Sequence, residues 1–338
     1  MFNRILAPID GSPLAESILP HVLTFAQAFR ADVALVRVAD THTVGGSSLD
    51  SAGASVSEES IGIDPLRWQI AKQEANAYLE SVQSQLQRSS VTAQTHVLEG
   101  RAAERILDFA RDTQADLIAL SSHGHSGPSD WRVGSVAQRM LTHAPGAKLL
   151  VRASTHVDRA SLEALEGSKY KRIFVPLDGS WRAESVLPVV AGLAQFCAAE
   201  VVAAHVIRAP EMARRTPPTD EDVQLISRVE ERNRQETVSY FEQLRSRLTM
   251  LTETHVLNGE SAAEVLHELA DRVQADLVLL SAHGFTGGVQ SPYGSVAQSF
   301  IWRSAIPVCI VDDAKLHPPA PEHMMTSAPR QHEVPAHA

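Results

Sequence analysis

The chain has 338 residues, 44% hydrophobic and 21% charged, and at roughly 100–200 residues per domain that length implies two ordinary globular domains. A formal net charge of -10 repels a phosphate backbone on average, which argues against nucleic acid as a partner. Only Cys197 and Cys309 are present, too few for a disulfide scaffold. No stretch approaches the roughly 20 apolar residues of a membrane span and no leader pattern precedes the first strand, so the expectation is a cytoplasmic protein with no membrane partner.

An internal repeat organises everything else. Residues 4–12, RILAPIDGS, return at 172–180 as RIFVPLDGS, and Thr95-His96-Val97-Leu98 returns as Thr254-His255-Val256-Leu257. Gln114-Ala115-Asp116-Leu117 matches Gln274-Ala275-Asp276-Leu277, and the glycine-rich stretch 121–135 matches 281–295. Ordered matches of this kind imply two fused copies of one domain, at 1–153 and 170–313, with a linker at 154–169 and an unstructured tail at 314–338. In the first copy, short apolar runs predict strands at 3–9, 32–38, 92–98, 116–121 and 147–152, with helices at 14–29, 65–88, 102–113 and 134–143. The second copy predicts strands at 172–177, 200–206, 252–257, 276–281 and 307–312. Alternation of this kind makes each copy a Rossmann-like α/β domain, a doubly wound parallel five-stranded sheet with strand order 3-2-1-4-5. Ser12 caps the first helix and Pro13 suits its first turn, where the second copy has Trp181.

Two stretches break the pattern. Residues 41–62 are rich in Gly, Ser and Ala, and their counterpart at 209–220 in Pro and Arg; loops this long are disordered or act as lids, with disorder first. A short helix at 160–166 is expected to space the halves.

In this strand order ligands collect beyond the carboxyl ends of the first and fourth strands. Pro8-Ile9-Asp10 and Pro176-Leu177-Asp178 end one of those strands in each copy, and the glycine-rich loop follows the other. Glycine allows close backbone approach, and the unpaired first-turn amides of the helix that follows carry partial positive charge, which together make an anion cradle. Asp10 and Asp178 suit an exocyclic amino group, with the backbone of Val38 or Val206 reading the same base edge. An Asx turn in the Asp-Gly-Ser bend is the competing use of each carboxylate.

These residues resemble the universal stress protein family, here as a tandem two-domain member, over nearly all of 1–152 and 170–312. The resemblance implies stress-response proteins that form dimers or tandem pairs and bind ATP or a related adenine nucleotide, with Mg admitted as its companion, through Gly-x2-Gly-x9-Gly-Ser/Thr. Here the motif is Ser121-x2-Gly124-x9-Gly134-Ser135 and Ser281-x2-Gly284-x9-Gly294-Ser295. Serine replaces the first glycine in both, and its Cβ narrows the approach of ribose or phosphate; Gly127 and Gly287 return some flexibility. The resemblance also implies that Asp10 and Asp178 face adenine beside Val38 and Val206, that Ser135 and Ser295 donate to phosphate, and that the amides of Val136 and Val296 complete the cradle. The alternative for Gly134-Ser135 is a plain helix cap. Arg132 and Arg139 flank only the first loop, so the first site is expected to be the tighter.

Other chemistries fit poorly. The first turn, Asp10-Gly11-Ser12-Pro13, lacks the Gly-x-Gly-x-x-Gly of a dinucleotide enzyme, and no lysine follows either loop as a P-loop kinase requires. Ser122-His123 has no Gly-x-Ser-x-Gly elbow. His123-Gly124-His125 is only half kept, as His283, so a backbone-bonded histidine is preferred to a metal ligand. No general base stands out, and the chain reads as a binding module rather than an enzyme, the alternative being a nucleotide-independent interaction scaffold. Finally, the fifth strands leave unpaired edges, and pairing of 148–152 with 308–312 would make one chain an intramolecular pseudo-dimer. Further pairing of whole chains into a homodimer stays open, and so does the downstream partner.

Overall fold

The computed structural model describes residues 1–39, 65–125, 133–152, 170–210, 217, 219–285 and 291–312. The first repeat runs β1 (Arg4–Pro8), α1 (Pro13–Glu16), α2 (Leu19–Phe29), β2 (Asp32–Ala39), α3 (Pro65–Arg88), β3 (Ala93–Glu99), α4 (Ala102–Asp112), β4 (Leu117–Ser121), α5 (Ser135–His143) and β5 (Ala147–Val151). The second runs β6 (Arg172–Pro176), α6 (Trp181–Glu184), α7 (Leu187–Cys197), β7 (Glu200–Ile207), α8 (Asp220–Arg247), β8 (Leu251–Asn258), α9 (Ala262–Arg272), β9 (Leu277–Ser281), α10 (Ser295–Arg303) and β10 (Val308–Val311). Strands inside the sheet are buried without alternation because helices cover both faces; every residue of β5 and β9 is buried, Lys148 of β5 included.

The single helix expected over 14–29 is two helices. Pro20 has no N–H for the Glu16 carbonyl and its ring crowds that group, so the chain breaks at Ser17-Ile18 and restarts with Pro20 in the first turn of α2. Leu187-Pro188 imposes the same break between α6 and α7. The Ser12 hydroxyl does cap α1, accepting from the Ala15 amide at 3.2 Å, and Ser180 repeats this with Ala183 at 3.1 Å. The proposed loop or lid at 41–62, linker helix at 160–166 and tail lie outside the described residues, as does most of 209–220. At the end of that last stretch Thr219 begins α8 with a reciprocal capping box to Asp222.

The strands form one sheet in the order β3-β2-β1-β4-β5-β10-β9-β6-β7-β8. Each half therefore has the order 3-2-1-4-5, parallel throughout, and the halves join where β5 and β10 pair antiparallel with Leu149 opposite Cys309. Two cores lie on opposite faces of this sheet. One packs under α2, α3, α7 and α8 and the other under α4, α5, α9 and α10, and each contains side chains from both repeats.

Further contacts lock the seam. Gly192 on α7 meets Phe29 at the end of α2, and a Cβ at Gly192 would fall 2.7 Å from the ring. Tyr170, at the entrance to the second repeat, is buried against Phe25 and meets His21 Nδ1 with its hydroxyl at 2.6 Å. Burial lowers the His21 pKa to about 4, so the ring is neutral at pH 7. The end of each α5-type helix is also held by the other repeat. Tyr293 donates its hydroxyl to the Leu141 carbonyl at 2.6 Å, while the Arg152 guanidinium donates to the Ser304 carbonyl at 2.8 Å and to the carbonyl of Ile301.

Candidate functional site

Because β1 lies beside β4, and β6 beside β9, the turn after each first strand and the loop after each fourth strand emerge together where strand order reverses. Asp10 Oδ1 accepts the Ser12 amide at 2.8 Å and its Oδ2 accepts the His125 amide at 2.6 Å. Asp178 repeats both bonds, with Ser180 at 2.9 Å and Phe285 at 2.6 Å. The Asx turn is thus formed in both copies, and a second bond clasps each carboxylate to the glycine loop. That clasp explains one glycine in each motif: a Cβ on Gly124 would lie 2.2 Å from Asp10 Oδ2, and one on Gly284 would lie 2.1 Å from Asp178 Oδ2. Any other residue would displace the carboxylate or the loop and so break the clasp.

The serines at the first motif position turn into the same turn. Ser121 Oγ lies 2.8 Å from the Leu14 carbonyl and 2.7 Å from that of His123, so its single proton is shared, and Ser281 donates to His283 at 2.5 Å. At the far end of each loop the Gly134 amide bonds the Ser122 carbonyl at 2.7 Å and Gly294 bonds Ala282 at 2.8 Å. Gly134 and Gly294 are the N-caps of α5 and α10, and neither helix receives a side-chain cap. First-turn amides at Ser135-Val136 and Ser295-Val296 therefore face the loop without a capping side chain, with both serines exposed.

In the second repeat these pieces enclose a cavity of about 130 Å3. Every candidate there that lies among the described residues, from Pro176 and Asp178 through Val206, Ser281 and Gly284 to Gly294, Ser295 and Val296, lines it. In the first repeat Pro8 and Val38 are half-buried at the matching strand ends, and Asp10, Gly124, Gly134 and Ser135 repeat the clasp and the cap. Gly127, Gly287 and Arg132 lie outside the described residues. Arg139 is exposed on α5, one turn beyond Ser135.

Sequence reasoning missed Ala262 and Leu266, which put α9 on the wall of the cavity. The only available signal was the apolar face of that helix. It also missed a polar cluster on the other face of the sheet. Arg37 packs on Gly11, where a Cβ would meet its guanidinium at 3.3 Å, and lies 5.2 Å above the Tyr78 ring, whose hydroxyl donates to Glu16 at 2.9 Å. Burial, then the Glu16 carboxylate, pushes the Tyr78 pKa up. The position equivalent to Arg37 is His205, whose Nδ1 donates to the Leu177 carbonyl at 2.9 Å; burial lowers its pKa, and the carbonyl opposes that shift. A charged or polar residue inside an apolar strand run was the signal. Among the described residues no group of three or more His, Cys, Asp and Glu could hold a metal, and His123 instead meets its neighbour Ser122 at 3.1 Å.

The model of the universal stress protein family matches residues 1–152 and 169–312. The chain belongs to the universal stress protein family. Among relatives, it is 28% identical over 152 residues to universal stress protein MJ0531 of Methanocaldococcus jannaschii, covering 45% of this chain and 83% of that one. It is 30% identical over 152 residues to universal stress protein YxiE of Bacillus subtilis, covering 45% of this chain and 100% of that one. A solved universal stress protein from Archaeoglobus fulgidus is similar across both repeats, with a TM-score of 0.60 at 17% identity over 93% of this chain and 99% of that one. At that identity the likeness carries the fold alone, an α/β architecture with two universal stress protein repeats. Among the described residues no helix is long and apolar enough to cross a membrane.

Proposed function

We propose that this universal stress protein is a regulatory module that binds an adenine nucleotide, ATP first, in the crevice of one or both repeats. The observation that carries the reading is the uncapped helix start facing an apolar crevice: first-turn amides of α10 beside Ser295, with Val206 and Leu266 lining the same cavity. Those amides suit phosphate and those side chains suit a planar base. Asp178 keeps acceptor capacity after receiving two amides, since each carboxylate oxygen has two lone-pair directions, and that capacity suits an exocyclic amine. Ser295 and the Val296 amide would hold phosphate oxygens, and Mg would arrive on the phosphates rather than in a protein cage. In the first repeat Asp10, Val38, Ser135 and Val136 take the same parts. Arg139 near its cradle supports that repeat as the tighter site. The domains at 1–153 and 170–313 would work as one intramolecular pseudo-dimer through β5 and β10, in the cytoplasm.

One observation favours a second reading, a nucleotide-independent scaffold. Asp10 and Asp178 are already satisfied by backbone amides, which is what a closed loop needs with no ligand. Titration calorimetry with ATP separates the two. Binding that falls at least tenfold in Gly124→Ala, and less in Gly284→Ala, supports the nucleotide reading with a tighter first site; no heat at millimolar ATP leaves the scaffold.

A further inference from the structure

A groove of about 470 Å3 runs over the second repeat between α6–α7 and the last turns of α8. Its walls are apolar, with Trp181, Leu187, Pro188 and Ala191 on one side and Leu244 and Leu248 on the other. The Arg247 guanidinium donates to Glu184 at 3.1 Å and ties the two sides together. Trp181 is 53% exposed, and a large aromatic held open to solvent in an apolar groove marks a recognition surface. The first repeat shows the same face filled. Leu19 and Leu23 are only 1% and 2% exposed there, whereas Leu187 and Ala191 at the matching positions are half-buried, and Pro13 stands where the second repeat has Trp181. Replacing a leucine by alanine and a proline by tryptophan leaves the groove and gives it an aromatic wall.

The chain itself supplies an occupant. β10 runs parallel to β9, and β9 to β6, so the carboxyl end of β10 lies on the edge of the sheet from which the turn into Trp181 emerges. Asp312, the last described residue, lines a cavity of about 490 Å3 at the seam together with Arg182. The Arg182 guanidinium carbon in turn lies 5.4 Å from the centroid of the Trp181 ring. Residues 313–338 therefore leave the sheet beside the side chain that lies on Trp181. The six residues from Asp312 to Pro318 reach about 20 Å when extended, enough to cross a cavity of that volume and the ring beyond it. Prolines recur in this tail at 318, 319, 321, 329 and 335, and Met324-Met325 is its one adjacent pair of large apolar side chains.

We propose that this groove is the docking site of the chain's own tail, with the segment at 316–325, LHPPAPEHMM, laid against Trp181. Proline fixes φ near the polyproline II value, so Pro318-Pro319-Ala320-Pro321 docks in an aromatic-lined groove at little ordering cost. A short tether gives an effective concentration on the order of millimolar, and a weak contact is then enough to hold the segment in place. The groove shares no lining residue with the nucleotide crevice, and its occupation does not depend on a nucleotide.

Tryptic cleavage of the full chain, followed by mass spectrometry, reads docking at Lys315, next to the segment, while Arg330 lies beyond it as an internal control. Trp181→Ala should speed cleavage after Lys315 by about threefold or more and leave cleavage after Arg330 unchanged, because proteolysis follows the population of released tail. Leu66→Ala removes another exposed apolar side chain, from the first repeat, and should change neither rate. The second readout is fluorine NMR of the full chain carrying 5-fluorotryptophan, with a resonance for each of Trp68, Trp131, Trp181 and Trp302, one of them assigned by Trp181→Phe. Pro318→Ser/Pro319→Ser/Pro321→Ser should move the Trp181 resonance and leave the other three in place; it alters no residue of either repeat, so misfolding cannot produce the shift. Equal cleavage after Lys315 in the native chain and Trp181→Ala, or an unmoved Trp181 resonance in the triple proline variant, would overturn the proposal. Protection at Lys315 that disappears on dilution would do so as well, since the occupant would then be the tail of a second copy.

Discussion

Asp10 and Asp178 hold their glycine loops through bonds of the same length, 2.6 Å to His125 and 2.6 Å to Phe285, and each meets a glycine three residues beyond the end of the fourth strand of its repeat. Away from that clasp the repeats part company. His21 in the first corresponds to Val189 in the second, Arg152 to Asp312, Val133 to Tyr293, and Pro13 to Trp181. Several of these differences fall at the seam. Arg152 ties off the end of α10 with a charge, and Tyr293 ties off the end of α5 with a neutral hydroxyl, so two related joints use unlike chemistry. Duplication preserved what the loop geometry demands and left the contact between the copies free to become asymmetric.

The strongest way to break the comparison is to attack the part both repeats share. Leu149 is fully buried where β5 meets β10, so Leu149→Asp places an unpaired carboxylate in the seam and should remove at least about 4 kcal/mol of stability. Denaturant unfolding followed by circular dichroism should show a lower midpoint, and an unchanged one would mean the repeats fold as separate units. Acid should act next, most strongly through the first repeat, where His21 has the largest lowering, and less through His205 and His267 of the second. His21 has its folded pKa lowered to about 4 against an ordinary 6.5, so its neutral form is the one that stabilises the fold. That contribution is complete above pH 6.5 and is lost as pH falls from there toward 4, by up to about 3 kcal/mol. Denaturation midpoints at pH 7 and pH 4.5 should diverge in the native chain and diverge less in His21→Val, which copies the second repeat and leaves His96, His205 and His267 in place.

Smaller effects sharpen the contrast between the two joints. Arg152→Ala removes charge-assisted bonds at a helix C-terminus and should cost about 2 kcal/mol, whereas Tyr293→Phe strands one buried carbonyl and should cost about 1 kcal/mol. Thermal melts of the two variants measure this directly, and equal losses would show that the charge contributes nothing extra. The smallest difference expected is none at all: Ser12→Ala and Ser180→Ala should each cost about 1 kcal/mol, because both caps bond the amide three residues on in the same geometry.

Much of this was legible before any coordinates. Apolar runs between polar turns marked the ten strands of the described residues to within one or two residues, and the repeated Pro-x-Asp-Gly-Ser and glycine-loop segments marked the clasp of each repeat and the cavity of the second. The helix over 14–29 was misread because its apolar spacing continues through Pro20 while the backbone cannot. The participation of Arg37, Tyr78 and Glu16 was invisible because they lie far apart in the chain and meet only when α3 packs on β2.

Local chemistry was enough to set a duplicated α/β scaffold with an aspartate, a glycine loop and an uncapped helix at each reversal of strand order, since turns, caps and periodicity act over a few residues. What packing alone settled is the seam: which carbonyls Arg152 and Tyr293 reach, 149 or 152 positions away, and the gathering of Arg111, Lys148 and Arg182 around one cavity. Such contacts depend on how two finished halves meet, and no short-range pattern encodes that.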